Sequence, residues 1–258
     1  MMQALSAADA GKLAAALCAV ELVEDGMRLG LGTGSTAAWM VRCLAHRAKR
    51  EGMRLTCVPT STRTGTLARV LGLNVVTLEE AGQLDVTIDG ADEFDPQFRL
   101  IKGGGGAHLQ EKIVAAASDR MVVITDPSKE VAQLGAFPLP VEITPFGQSV
   151  TRARIEAVLA GAAVARRDAR LRLVDGKPFV TDEGNLTVDL FLDRIDAPEA
   201  LDTALLAIPG VVETGLFLGI CDTVVIGHPD GRAELRRKGA EPETRRMDLS
   251  VVASLPAG

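Results

Sequence analysis

Lys102 and Glu111 are joined by Gly103-Gly104-Gly105-Gly106-Ala107 and the start of an apolar-periodic segment, so a cation and a carboxylate bracket one glycine loop. That is equipment for steadying negative charge while a base moves a proton. Each glycine costs roughly 0.5–1 kcal/mol relative to alanine in regular structure, so four between a strand and a helix point to close approach of backbone to a ligand. A flexible linker is the alternative. With a helix starting near residue 107, Glu111 falls on its first turns and faces back toward the loop.

Three more segments have the same character. Gly30-Leu31-Gly32-Thr33-Gly34-Ser35-Thr36-Ala37 lies at a strand-to-helix junction, where glycines permit a tight turn and the first N–H groups of the helix, with Thr and Ser hydroxyls, form an anion site. Gly32-x-Gly34-x-x-Ala37 also fits a dinucleotide fingerprint, but the second strand ends in Pro59-Thr60-Ser61-Thr62 without the ribose-binding acid. The phosphate of a small ligand is therefore favoured over a nucleotide or a purely structural turn. Pro59-Thr60-Ser61-Thr62-Arg63-Thr64 offers hydroxyls to a sugar or phosphate, and equally well to a helix cap. Asp89-Gly90-Ala91-Asp92-Glu93-Phe94-Asp95 follows an apolar strand, whose carboxyl end would point Asp89 and Asp92 into a ligand crevice; a solvated acidic turn is the plain alternative. This spacing fails the calcium-loop pattern, and His46, His108 and His228 are isolated, so no metal site is expected.

The elements that must position these segments follow from hydrophobic periodicity. Helix is expected over about 7–25, 35–50, 62–71 and 107–118, and strand over 27–31, 54–58, 73–77, 84–88, 98–101 and 121–125. Such alternation calls for an α/β fold, a Rossmann-like doubly wound and mostly parallel sheet with helices on both faces. Beyond Phe137 the texture changes to prolines, a helix over 148–160, strands around an Asp182-Glu183-Gly184-Asn185 hairpin turn, and a helix over 197–207. That order suits a smaller inserted α+β domain of ferredoxin-like type. The expected division is 1–136 plus 211–231 for the catalytic domain, 137–210 for the small one and 232–258 for a charged tail that catalysis does not need.

With 47% hydrophobic and 24% charged residues among 258, the chain is expected to be a soluble globular protein that needs no metal or disulfide to hold it together. Its 28 basic against 34 acidic residues, a net charge of −6, argue against nucleic acid as a partner, and no stretch reads as a membrane span. Cys18, Cys43, Cys57 and Cys221 lack metal or disulfide spacing, which implies reduced thiols and a cytoplasmic protein. Leu13 to Val23 is apolar, but Asp9 precedes it and Glu21 interrupts it, so a helix is expected there rather than a secretion signal.

Taken in order, GLGTGST, PTSTRT, DGADEFD and KGGGG followed by Glu111-Lys112 resemble ribose-5-phosphate isomerase of the A type. The resemblance runs from about residue 12 to about 231 and includes Thr125-Asp126-Pro127-Ser128-Lys129 and Phe137-Pro138-Leu139-Pro140-Val141-Glu142. It implies an aldose–ketose isomerase that interconverts ribose 5-phosphate and ribulose 5-phosphate in the pentose phosphate pathway without a cofactor. It further implies that Thr33, Gly34, Ser35 and Thr36 line the substrate site, and that Asp89, Gly90, Ala91 and Asp92 meet the sugar, the aspartates handling its hydroxyls and ring opening. Lys102, with Gly103, Gly104 and Gly105, steadies developing negative charge, Glu111 accepts the proton, and Lys129 contacts the phosphate, with Lys12 a lesser candidate. A sugar phosphate is the small-molecule partner, and the family implies a homodimer or homotetramer. The chemistry fits these residue types by itself, because moving a carbonyl from C1 to C2 through an enediolate needs one shuttling base and a cation or donors at the oxyanion. His108 and Gln110 depart from the family, which often has a small or apolar residue and an arginine there. The alternative is a non-catalytic sugar-phosphate sensor, as in transcription regulators, or another sugar-phosphate or acyl-group enzyme of the same fold; a regulator needs a helix-turn-helix with a basic face, which the sequence does not show.

Overall fold

The computed structural model describes residues 5–256. Ser6 caps α1 (Ala7–Val20), its hydroxyl accepting from the Asp9 N–H at 3.0 Å. Then come β1 (Arg28–Leu31), α2 (Ser35–Glu51), β2 (Thr56–Pro59), α3 (Thr62–Val70), α4 (Leu78–Ala81) and β3 (Val86–Gly90). Two short strands, β4 (Glu93–Phe94) and β5 (Leu100–Ile101), precede α5 (His108–Ala116), β6 (Met121–Thr125) and a 3-10 turn at Pro127–Lys129. The chain continues through β7 (Leu139–Ile143), α6 (Gln148–Gly161), β8 (Asp168–Leu171), β9 (Leu173–Val174), β10 (Lys177–Pro178), β11 (Leu186–Phe191), α7 (Pro198–Leu206), β12 (Val211–Thr214) and β13 (Leu216–Phe217). It closes with β14 (Thr223–Gly227), β15 (Arg232–Arg237), β16 (Glu243–Arg246) and a 3-10 helix, Leu249–Ser254.

Two units result, and the larger holds the chain to Gly90, Gln110–Lys129 and everything from Ile220 on. Its sheet runs β16-β15-β14-β6-β3-β1-β2, with β14, β6, β3, β1 and β2 mutually parallel and β15 and β16 added antiparallel. This is the expected Rossmann-like sheet. The runs Met121–Thr125 and Thr223–Gly227 are buried along their whole length, as strands covered on both faces must be. Leu13 of α1, Met40 and Leu44 of α2, and Leu29, Ile88, Ile124 and Val225 of the strands meet in its core.

The second unit, Ala91–Leu109 with Glu130–Gly219, carries a four-stranded antiparallel sheet ordered β12-β7-β11-β8. Its strand-helix-strand-strand-helix-strand order, with the first and third strands central, is the ferredoxin-like arrangement. Leu139, Val141, Ile155, Leu159, Val188 and Leu205 form its core. The expected hairpin turn is present: the Gly184 N–H donates to Thr181 O, and Val180 bridges Leu186 across it.

Four expectations differ from the structure. Residues 232–258 are not an appendage, because β15 pairs with β14 from Thr223–Arg237 to Gly227–Ala233 and buries Ala233 and Leu235 in the core. Segments 91–109, 130–136 and 211–219 belong with the small unit, since β5 pairs with both β4 and β13, and Ile101, Leu134 and Leu216 join that unit's core. The strand expected at 73–77 reduces to a single bridge, Cys57 to Val75. Helix α1 stops at Val20, where the Val23 N–H turns back to Val20 O and the Arg47 guanidinium donates to Val20 O and, beyond the helix, to Val23 O. Among the described residues no helix is long and apolar enough to cross a membrane.

Candidate active site

In the larger unit the parallel strands β1, β2, β3 and β6 all end at one edge, the edge at which open α/β sheets bind ligands. The loop after β1 is anchored there by a carboxylate. Asp89, at the end of β3 and fully buried, accepts at Oδ1 from the Thr33 N–H at 2.9 Å and the Gly90 N–H at 2.7 Å. The Gly32 N–H donates to Ile88 O at 2.9 Å. The loop lies so close that a Cβ on Gly32 would fall 2.1 Å from Asp89 Oδ1, which explains that glycine.

The second motif knits into the first. The Thr33 hydroxyl donates to Ser61 Oγ at 2.8 Å and shares hydrogen bonds with Thr60 Oγ1 at 2.8 Å and Thr64 Oγ1 at 3.2 Å. Thr60 and Thr64 in turn donate to Leu31 O and Gly32 O. Ser61 also caps α3, accepting from the Thr64 N–H, so the capping reading of this motif is realised. Thr33 is thus occupied in holding the loop. Gly34, at φ 112°, precedes α2, whose first turn has no acidic residue and no side-chain cap, with Ser35 exposed and Thr36 half-buried. The positive end of a 17-residue helix is presented there, suited to an anion.

Helix α5 leads into β6 and so runs against the strand direction, which brings its first turn to the same sheet edge. Glu111 sits there, 4% exposed. Lys129 ends the 3-10 turn after β6, which is fixed by the Asp126 carboxylate accepting from the Ser128 N–H at 2.9 Å. Lys12 lies on α1, 3.7 Å from Asp9.

The second unit holds Ala91, Asp92, Lys102 and the tetraglycine loop. Asp92 Oδ2 accepts from the Gly104 N–H at 2.7 Å. The other acids of this motif also bind backbone: Glu93 accepts from Gly135 and Phe137, and Asp95 from Gln97 and Arg99. A solvated acidic turn is therefore excluded. Burial nonetheless pushes the Glu93 carboxyl above its ordinary range, against the lowering effect of those donors. The glycines are demanded by contacts, since a Cβ on Gly104 would lie 2.8 Å from Asp92 Oδ1 and one on Gly106 2.3 Å from the Phe179 ring. Lys102 is 2% exposed, with its Nζ 5.4 Å from the centre of the Phe217 ring. His108, wholly buried, has Nε2 3.9 Å from Oε2 of the buried Glu142.

The sequence did not reveal Arg172, which donates to the carbonyls of Gly103 and Gly104 across a separation of 69 and 68 positions. No local signal marks it. Glu142, to which the sequence assigns no role, accepts from Thr181 and Asn185. Among the described residues no group of three or more His, Cys, Asp or Glu could hold a metal ion.

Comparison with known proteins adds names to this geometry. The family model for ribose 5-phosphate isomerase A (phosphoriboisomerase A) matches residues 56–231. Ribose-5-phosphate isomerase A of Cereibacter sphaeroides is 64% identical over 232 residues, spanning 90% of this chain and 88% of the relative. The structure of ribose 5-phosphate isomerase A from Methanocaldococcus jannaschii superposes with a TM-score of 0.81 at 41% identity, covering 89% of this chain and 99% of that one. A D-ribose-5-phosphate isomerase in complex with phospho-erythronic acid gives 0.83 at 33% identity, covering 90% and 99%.

Proposed function

The chain belongs to the ribose 5-phosphate isomerase A family, and from that membership we propose how its residues divide the work of the reaction. The enzyme interconverts ribose 5-phosphate and ribulose 5-phosphate in the pentose phosphate pathway. A sensor without chemistry is not favoured at 64% identity to an isomerase. In our reading the reaction runs through an enediolate: Glu111 takes the proton from C2 of the opened sugar and returns it to C1, while Lys102 and loop N–H groups stabilise the charge on the oxygens. Hydrogen and carbonyl move within one molecule, so no external oxidant or reductant enters the balance. The start of α2, with Ser35 and Thr36, and Lys129 are assigned to the anionic substrate, and Asp92 to its hydroxyls. Asp89 would assist ring opening while its Oδ1 keeps the first loop in place. The sugar-phosphate analogue held by a relative supports this substrate class.

The observation that carries the reading is the burial of Glu111 and Lys102, at 4% and 2% exposure, because ionisable side chains are seldom buried so deeply and these two bracket the tetraglycine stretch in the sequence. A homodimer or homotetramer in the cytoplasm completes it, supported by the exposed Phe146 and Val150 at the start of α6 and by four free cysteines. The test is Glu111→Gln, expected to keep the fold and lower turnover by about 10² to 10⁴. Turnover of the wild type in heavy water should place deuterium on C1 of ribulose 5-phosphate, in part because a closed pocket lets only a fraction of shuttled protons escape. A variant with full activity, or a wild-type product free of label, refutes the assignment.

A further inference from the structure

Arg172 lies between β8 and β9, and its own backbone is pinned, its N–H donating to Thr187 O at 2.8 Å and its carbonyl accepting from the Phe179 N–H at 2.9 Å. Its guanidinium is gripped by Asp189 of β11, through Nε to Oδ2 at 2.9 Å and Nη2 to Oδ1. The Phe179 ring, 5.7 Å away, covers it and also abuts Gly106. So oriented, Nη1 donates to Gly103 O at 2.9 Å and Gly104 O at 3.3 Å.

The consequence lies in peptide geometry. The peptide between Gly103 and Gly104 is held at both ends, its carbonyl by Arg172 and its N–H by Asp92 at 2.7 Å. A trans peptide is planar with N–H and C=O opposed, so tying Gly104 O to Arg172 also fixes the direction of the Gly105 N–H. Glycine backbone would otherwise sample a wide range of torsions, and orientation is what a charge-stabilising loop must keep. We propose that Arg172, braced by Asp189, is a positioning residue for the isomerisation, fixing the tetraglycine backbone that follows Lys102. The inference rests on the reading of that loop given above.

Arg172→Met keeps an unbranched stem and removes the donors. The expected result is a kcat lower by about 10- to 100-fold with KM changed by less than about threefold, since displacement near 1 Å is enough for such losses. Hydrogen exchange of the 103–106 amides should accelerate in the same variant, a readout that does not depend on activity. Arg172→Lys keeps three donors on one ammonium but loses the planar fork that grips Asp189 through Nε and Nη2 while Nη1 reaches the carbonyls, so it should recover only part of the rate. If the methionine variant fails to fold, Asp189→Asn keeps the shape and loosens the brace, and a smaller loss of kcat with faster loop exchange is expected. Wild-type kcat in a folded Arg172→Met, unchanged exchange, or full rescue by lysine would overturn the proposal while leaving the isomerase reading intact. Loss of that reading would show separately, as full activity in Glu111→Gln.

Discussion

Gly32→Ala probes the tie between the first loop and Asp89. The torsion at Gly32 lies outside the left-handed region, so the whole effect comes from lack of room. An added Cβ would lie 2.1 Å from Asp89 Oδ1, 2.3 Å from Cγ and 2.5 Å from Cα, where real contacts stay beyond 3.0 Å. Rotating the Asp89 side chain cannot relieve this, because Cα is among the clashing atoms and is fixed in β3 opposite Val123 of β6. The loop must therefore move by about 1 Å, breaking the bond from Thr33 N to Asp89 and pulling the Thr33 hydroxyl from Thr60 and Ser61. Overpacking costs about 1–3 kcal/mol and a hydrogen bond to a buried charge about 1.5–3, which together give about 2.5–6 kcal/mol. At about 2–4 °C per kcal/mol for a chain near this size, the melting temperature should fall by about 5–24 °C. A loop displaced by about 1 Å should also lower kcat/KM by about 100-fold. Thermal melts and steady-state conversion of ribose 5-phosphate measure both. A variant that melts within about 2 °C of wild type and retains kcat/KM within about twofold would refute the argument that Asp89 sets the position of this loop.

Two further perturbations address the rest of the molecule. Ending the chain at Gly231 removes β15 and β16 with the buried Ala233 and Leu235, so the truncated protein should be insoluble or melt far below the full chain; a soluble, equally stable product would mean that β15 contributes nothing to the sheet. Burial raises the Glu142 carboxyl above its ordinary value of 4.5, against the donors Asn185 and Thr181, with Glu183 and Glu213 adding to the rise and His108 nearby. The folded state then holds this proton more tightly than the unfolded one, so the contribution is full below 4.5 and lost as pH climbs through the raised value. Glu142→Gln should accordingly flatten the fall in melting temperature above pH 4.5, and an unaltered slope would refute it.

What the sequence could and could not disclose follows from the range of each constraint. Met121–Thr125 was legible as a strand because both of its faces are buried, so nearly every position carries the apolar signal. In β15 the signal alternates, with Ala233 and Leu235 turned inward between Arg232, Glu234 and Arg236, and the charges make it read as a tail. Period two was present there and outweighed by composition. The chemistry-bearing loops were legible for a different reason. A glycine required by contact, such as Gly32 against Asp89 or Gly104 against Asp92, leaves its trace in sequence whatever it approaches. The identity of that neighbour leaves none. Glycines that suggested room for a ligand are in part room for the protein's own carboxylates, and the hydroxyl of Thr33, which suggested part of an anion site, is engaged by Thr60, Ser61 and Thr64. Arg172 lies further along the same scale, because its partners are 69 and 68 positions away and any surface arginine would look alike in sequence. Spacing therefore marks which loops the chain packs tightly, whereas the partners that hold those loops still are settled by tertiary pairing.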